Sequence, residues 1–126
     1  MTLICGRVNF FSGPHLVFKY WLRGKFMRII IVGCGKVGSS IASELNLEGH
    51  EISVVDINHG AVDKLANSLD VLGIEGNGAT YDVLVEAGAE YADLLIAATA
   101  RDEINLYSCL MAKAAGVTHT IARVRN

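Results

Sequence analysis

Residues 28–38 read RIIIVGCGKVG and decide the fold of this 126-residue chain. The run from Arg28 to Val32 is almost entirely β-branched, which is typical of a strand buried on both faces of a parallel sheet. A GxGxxG loop follows at once over residues 33–38. Apolar residues then recur every fourth position, which predicts a helix. Together they predict the first strand–loop–helix unit of an α/β domain.

The alternation of strand and helix continues along the chain. Further strands are predicted at residues 51–56, 71–74, 93–98 and 117–124. Between them, helices are predicted to begin after Asn58, Thr80 and Arg101, and the last ends at Gly116. This order predicts the α/β class, a Rossmann-like doubly wound parallel sheet with three α/β/α layers.

The glycine loop has the spacing of a dinucleotide-binding loop. Gly33 permits a tight turn, Gly35 lets a pyrophosphate approach the backbone, and Gly38 lets the helix pack closely. The N–H groups and dipole of the helix start can hold phosphates. The loop can also be only a tight turn. The predicted cofactor-binding residues here are Gly33, Cys34, Gly35, Lys36, Val37 and Gly38.

Asp56 ends the second predicted strand, and Ile57 follows it. A carboxylate there can accept both ribose hydroxyls of an adenosine and would repel a 2′-phosphate. This position therefore favours NAD or another adenine nucleotide over NADP. The alternative is that Asp56 only caps the next turn.

Two further loops follow strands, at the edge where ligands bind in open α/β sheets. The first can border the adenine or be a simple turn. The second leaves room beside a diphosphate, and Arg101 and Lys36 are either phosphate contacts or solvated charges. The predicted site residues in these loops are Asn77, Gly78, Ala79, Thr80, Ala98, Thr99 and Arg101.

Candidates for catalysis and metal binding are few. The four histidines, at positions 15, 50, 59 and 119, lack neighbours at metal-ligand spacing, so we expect exposed or capping roles. A helix start near Cys34 can lower its thiol pKa, although small size also explains that residue. Cys109 is expected in the core, and capping explains Asp102, Glu103 and Asn105. We predict no catalytic residue and no metal site.

Composition separates the chain at residue 26. Residues 1–26 contain four of the 11 basic residues and none of the 13 acidic ones, together with all four Phe and the Trp. Overall the net charge is −2, which argues against a nucleic-acid partner. Three unpatterned cysteines indicate a reducing compartment. We expect residues 1–26 to be an extension and residues 27–126 to be a nucleotide-binding domain.

The extension fits no strong class. Its apolar stretch from His15 to Leu22 is interrupted by Lys19 and is shorter than the ~20 residues of a spanning helix. The features of a secretory signal are absent. Either it lies upstream of a true start at Met27, or it is a basic–aromatic arm that faces a membrane or a partner.

Residues 27–126 resemble the N-terminal lobe of regulator-of-potassium-conductance domains, also called KTN or TrkA-N domains. The resemblance is carried by MRIIIVGCGKVGSSIASEL from Met27, by Asp56, and by GNGAT from Gly76. Its more specific part is LLIAATARDEINLYSCLMAK from Leu94, followed by TIARVRN from Thr120.

The resemblance implies a non-enzymatic regulatory subunit of a bacterial Trk- or Ktr-type potassium uptake system. Such a subunit is cytoplasmic, lies at the inner face of the membrane, and binds NAD(H) or ATP/ADP. It assembles as a homodimer or ring beneath a membrane-embedded potassium channel. By position, the glycine loop would hold the diphosphate and Asp56 the ribose, while Asn77 to Thr80 would line the adenine. Thr99 and Arg101 would lie near the distal phosphate or nicotinamide.

Family members usually continue into a second lobe, so a C-terminal lobe is expected to be missing here. Two other functions remain open. A fragment of an NAD-dependent dehydrogenase explains the loop and Asp56 equally well, but it would need a substrate domain. A stand-alone nucleotide or redox sensor is the other possibility. Hydride transfer from NADH would indicate the enzyme, and co-purification with a channel would indicate the regulator.

Overall fold

The computed structural model describes the backbone of residues 2–5 and 9–11, and residues 24–125 in full. The strands are β1 (Thr2–Cys5), β2 (Asn9–Phe11), β3 (Arg28–Val32), β4 (Glu51–Asp56), β5 (Leu72–Glu75), β6 (Leu94–Ala97) and β7 (His119–Arg123). The helices are α1 (Lys36–Leu47), α2 (His59–Leu69), α3 (Tyr81–Glu86) and α4 (Asp102–Ala114), with a 3₁₀ turn at Ala89–Tyr91.

Five parallel strands form the centre of the fold, in the order β5-β4-β3-β6-β7. Strand β3, which comes first in the chain among these five, lies in the middle of the sheet. Its Ile31 is in register with Val54 of β4 and Ile96 of β6. All four residues from Ile29 to Val32 are at most 2% exposed. Full burial of each such side chain contributes about 1.5–3 kcal/mol. The β-branched run is therefore the core of the sheet, as predicted.

Helices cover both faces of this sheet. On one face, α1 and α2 contribute Ala42, Leu45, Val62 and Leu65 to a cluster built on the odd-numbered residues of β3. On the other face, α3 and α4 contribute Leu84, Cys109 and Ala112 to a cluster built on its even-numbered residues. The doubly wound, three-layer architecture is confirmed, and so is the core position of Cys109.

The amino-terminal residues extend the sheet beyond β7. The β1 strand pairs antiparallel with β7, with Leu3 opposite Ala122, and β2 pairs antiparallel with β1. The apolar stretch from His15 to Leu22 lies outside the described residues. No helix in the described part of the chain is long and apolar enough to cross a membrane.

Two sequence-based assignments of local roles were wrong. Thr80 precedes α3 as predicted, but its hydroxyl does not cap that helix and instead donates to the Asn77 carbonyl at 2.8 Å. His50 is only 6% exposed. Its Nδ1 accepts a hydrogen bond from the Met27 N–H at 3.1 Å. This histidine joins the starts of β3 and β4. His59 and His119 are exposed as expected, and His15 is outside the described residues.

Candidate functional site

The carboxyl ends of β3 and β6 form the crevice in which ligands bind in doubly wound folds. These two strands are neighbours, but the helices that follow them, α1 and α4, pack on opposite faces of the sheet. A crevice forms where the connections diverge in this way. The Ala98 N–H donates to the Val32 carbonyl at 2.8 Å, which keeps the two strand ends together up to the crevice.

The three glycines of the loop differ in the space around them. Gly33 has φ +107°, and a Cβ there would lie 3.0 Å from the Ala98 carbonyl and the Thr99 nitrogen. A Cβ on Gly38 would lie 1.8 Å from the Gly33 carbonyl oxygen. A Cβ on Gly35 would meet nothing within 4 Å. The fold therefore requires Gly33 and Gly38, whereas Gly35 leaves the loop surface open.

The amino terminus of α1 carries a positive potential at this open surface. Gly35 is the N-cap, and its carbonyl accepts the Ser39 N–H at 2.9 Å. The N–H groups before Ser39 have no acceptor within the helix. The first turn of this fully described helix contains no acidic residue. Lys36 is exposed there and has no hydrogen-bond or ion-pair partner within residues 24–125. An anion is the natural complement of this arrangement.

Asp56 connects the glycine loop to the loop that follows β4. One carboxylate oxygen accepts the Cys34 N–H at 2.7 Å, and the other accepts the Asn58 N–H at 2.9 Å. Its backbone carbonyl accepts the Gly76 N–H at 2.9 Å. Each carboxylate oxygen retains a further lone pair, so the group can still accept hydroxyls. The next residue, Ile57, is 75% exposed and offers an apolar surface beside the carboxylate.

The surroundings of Cys34 favour the protonated thiol. Its side chain is buried, at 6% exposure. Burial first, and the nearby Asp56 carboxylate second, raise the pKa of Cys34 from 9.0 to about 12. Of the two explanations offered for Cys34, a lowered pKa is excluded and small size remains, because desolvation of the thiolate outweighs the helix dipole here.

The loop over residues 77–80 is a closed turn that packs against the end of β3. The Asn77 Oδ1 accepts the Ala79 N–H at 2.8 Å, and the Asn77 carbonyl accepts the Thr80 N–H at 3.0 Å. Gly78 is buried, and a Cβ there would lie 2.3 Å from Cγ1 of Val32. The turn therefore reaches the same edge of the sheet as the glycine loop.

The loop after β6 places Thr99 at the crevice, and in this loop Arg101 forms an ion pair with Glu103. Ala98 is 4% exposed, and its backbone lies against Gly33. The Arg101 guanidinium pairs with the Glu103 carboxylate at 2.7 Å on the surface. A hydrogen bond from the backbone N–H of Glu103, then one from Arg101, hold the pKa of Glu103 below its ordinary value. A ligand phosphate would compete with Glu103 for Arg101.

Asn105 has a role that sequence reasoning missed. It is fully buried on α4, where its Oδ1 accepts from the Thr99 N–H at 2.9 Å and the Thr99 hydroxyl at 2.7 Å. Its Nδ2 donates to the carbonyls of Thr99 at 3.2 Å and Arg123 at 2.8 Å. Capping, the predicted explanation, is wrong for this residue. The only sequence signal was a polar residue on the face of α4 that packs on the sheet.

A groove lies at the opposite edge of the sheet. It has a volume of about 670 Å³ and is lined by the amino ends of β3, β4 and β5, with His50, Asp70 and Tyr91 nearby. The helix amino termini, the glycine loop and Asp56 all lie at the other edge. Because anions and nucleotides bind at the carboxyl ends of parallel strands, the candidate site is the crevice rather than this groove.

The chain is similar to proteins of potassium transport. The TrkA-N domain family matches residues 29–126. The Trk system potassium uptake protein TrkA of Halomonas elongata is 43% identical over 100 residues, which are 79% of this chain and 22% of that protein. The protein of that name from Azorhizobium caulinodans is 39% identical, with the same coverage. The chain thus spans about a fifth of the length of these relatives.

Solved structures share the fold. The TrkA-N domain of Escherichia coli inner membrane protein YbaL has a TM-score of 0.65 and 22% identity, over 74% of this chain and 68% of that one. The Kef CTD of Shewanella denitrificans, solved in its AMP-bound form, has a TM-score of 0.60 and 28% identity, over 69% and 52%. A short chain dehydrogenase/reductase family oxidoreductase from Aeromonas hydrophila has a TM-score of 0.56 and 22% identity, over 71% and 53%.

Proposed function

The chain belongs to the TrkA-N domain family, and from this we propose that it is the nucleotide-binding domain of a Trk- or Ktr-type potassium uptake regulator. In this proposal residues 27–126 bind NAD(H), or alternatively ATP or ADP. The subunit works in the cytoplasm at the inner face of the membrane, as a homodimer or ring against a potassium channel. The names of the relatives support the transport role, and the crevice supports the ligand class.

The observation that carries the ligand assignment is the open Gly35 surface at the free amino terminus of α1. Among the described residues, a methyl group there would meet no atom within 4 Å, and Lys36 has no partner. The helix also presents N–H groups that have no acceptor within it. A diphosphate fits this combination in charge and in hydrogen bonding. It would be held by the N–H groups over residues 35–38.

The remaining predicted site residues fit the other parts of an adenine dinucleotide. The Asp56 carboxylate would accept ribose hydroxyls with its remaining lone pairs, and its charge disfavours a 2′-phosphate. The exposed Ile57 and the turn from Asn77 to Thr80 flank the adenosine end. Ala98, Thr99 and Arg101 lie at the end of β6, toward the second half of the ligand. This arrangement favours NAD(H) over NADP(H).

The proposed role of the ligand is regulatory rather than catalytic. A nucleotide can move a conformational equilibrium only by its difference in affinity for the two states. A tenfold difference contributes about 1.4 kcal/mol per site, so several sites acting together in a ring would give a firm switch. The fold by itself does not separate this function from hydride transfer, because dehydrogenases share it.

Calorimetric titration of the chain with NAD, NADH, ATP and ADP in parallel tests the proposal. We expect one of these nucleotides to bind, and Asp56→Ala to weaken that binding about tenfold or more by removing a charge-assisted bond of about 1.5–3 kcal/mol. The matched control is Asp93→Ala. Asp93 accepts the Arg28 N–H at 2.8 Å in a similar contact, but at the opposite edge of the sheet.

The outcomes separate the alternatives. Equal binding by Asp56→Ala and wild type would remove Asp56 from the ribose site. Weakening by Asp93→Ala to the same extent would mean that the loss reflects stability, not the site. Oxidation of NADH by an added carbonyl acceptor would indicate a dehydrogenase. Co-purification of the full-length subunit with a membrane channel would support the regulator.

A further inference from the structure

The loop over residues 99–102 is connected to the end of β7 through two residues, Asn105 of α4 and Arg125. The Asn105 side chain accepts hydrogen bonds from the N–H and the hydroxyl of Thr99. It donates to the Thr99 carbonyl and to the Arg123 carbonyl, the latter at 2.8 Å. The Arg125 guanidinium donates to the Ala100 carbonyl. The Arg125 backbone N–H donates to the Asp102 carboxylate at 3.1 Å.

We propose that Asn105 and Arg125 form a clamp that transmits nucleotide occupancy at Thr99 to the backbone at the end of β7. This inference rests on the proposed function, since it takes the Thr99 loop as part of the nucleotide site. Asn105 is a positioning residue here: it holds Thr99 and does not itself touch the ligand. A structural change caused by nucleotide binding would then pass from Thr99 to residues 123–125 and from there to the rest of the subunit.

The hydrogen-bond capacity of Asn105 makes the coupling tight. A carboxamide has two donor hydrogens and an oxygen with two lone pairs, and all four are used by Thr99 and Arg123. The residue is 0% exposed, so water cannot replace a lost partner. A shift of Thr99 must therefore either break a buried bond or move Arg123 with it.

Arg125 gives the clamp a part that can be removed without disturbing the core. The residue is exposed, and its guanidinium reaches across to the Ala100 carbonyl. Its backbone bond to Asp102 remains when the side chain is shortened. Lys113 offers a matched control, because its ammonium donates to the Thr118 carbonyl at 2.9 Å, next to the other end of β7.

Hydrogen exchange measured by mass spectrometry tests the clamp in wild type, Arg125→Ala, Lys113→Ala and Asn105→Asp. The probes are NAD and ADP at saturation, with binding followed by calorimetry on the same samples. In wild type, nucleotide should slow exchange over residues 119–125 by about fivefold or more, the lower range of allosteric coupling. Arg125→Ala should bind within about threefold of wild type but lose most of that slowing.

The other variants complete the test. Lys113→Ala should retain the full effect. Asn105→Asp keeps the acceptor for Thr99 but loses both donors, so it should bind more weakly and lose the effect on β7. Binding with no change in exchange at residues 119–125, or full slowing in Arg125→Ala, would overturn the clamp while leaving the proposed function intact. Absence of calorimetric binding in wild type would overturn both.

Discussion

Replacing Gly35 with alanine should abolish nucleotide binding without unfolding the domain. Gly35 has φ −76° and ψ −163°, an extended conformation that alanine adopts. Its added Cβ meets no atom within 4 Å. Alanine is a poorer N-cap than glycine by up to ~1 kcal/mol, whereas a more restricted unfolded chain returns about 0.4–1 kcal/mol. The net change in the free energy of unfolding should therefore stay below about 1 kcal/mol.

The effect of the same methyl group on binding should be much larger. It would stand where the diphosphate is proposed to approach the loop, and it would separate the phosphate from the N–H groups of α1. Losing two charge-assisted hydrogen bonds, each of about 1.5–3 kcal/mol, weakens affinity by about 100-fold or more. A large loss of affinity with little change in stability would therefore show that Gly35 contacts the ligand and is not needed for the fold.

Gly38→Ala is the natural comparison, since it also adds one methyl group to the loop. Its Cβ would lie 1.8 Å from the Gly33 carbonyl oxygen and 2.8 Å from the carbonyl carbon. Backbone cannot rotate away as a side chain can, so we expect a loss of about 3 kcal/mol or more in the free energy of unfolding. Both variants should fail to bind nucleotide, but only Gly38→Ala should lose stability.

Urea unfolding followed by circular dichroism gives the stability, and calorimetric titration with NAD and ADP gives the affinity. For a domain of this size, 1 kcal/mol corresponds to a change of about 4–8 °C in Tm, which a thermal scan resolves. If Gly35→Ala binds with wild-type affinity, the diphosphate does not lie over Gly35. If that variant unfolds, the open space at this position has been misjudged.

Three further predictions follow from the site. First, the free energy of unfolding should decline as the pH rises above 9.0 toward about 12, because the folded state keeps the Cys34 thiol protonated; Cys34→Ala should lack that decline in urea titrations. Second, Glu103→Gln releases Arg101, so calorimetry should show about two- to fivefold tighter ATP binding, equivalent to a surface ion pair; unchanged affinity would exclude Arg101 from the phosphate site. Third, Gly78→Ala should cost about 1–3 kcal/mol in urea unfolding by crowding Val32. The cost of Gly78→Ala should be smaller when it is measured in a Val32→Ala background, and an equal cost in both backgrounds would place the clash elsewhere.

Local features of the sequence are enough to predict the architecture. The β-branched run from Ile29 to Val32 predicts a central parallel strand because a strand covered by helices on both faces must be apolar on both. The helical spacing of apolar residues and the glycine loop are equally local signals. Asn58 caps α2 as predicted, accepting the Ala61 N–H at 3.0 Å. Such features depend on residues a few positions apart, so they can be predicted without the fold.

The roles of the polar groups, by contrast, depend on contacts between residues far apart in the chain. Asp56 joins two loops through Cys34, which lies 22 positions away, and Asn105 reaches Arg123 across 18 positions. No periodicity encodes these pairings, since each depends on which strand lies beside which. Burial of Cys34 and His50 likewise follows from what packs over them. It raises the pKa of the Cys34 thiol and removes His50 from the exposed role that the sequence predicted. Secondary structure depends on local geometry, whereas hydrogen-bond partners and pKa values depend on neighbours that only the folded chain brings together.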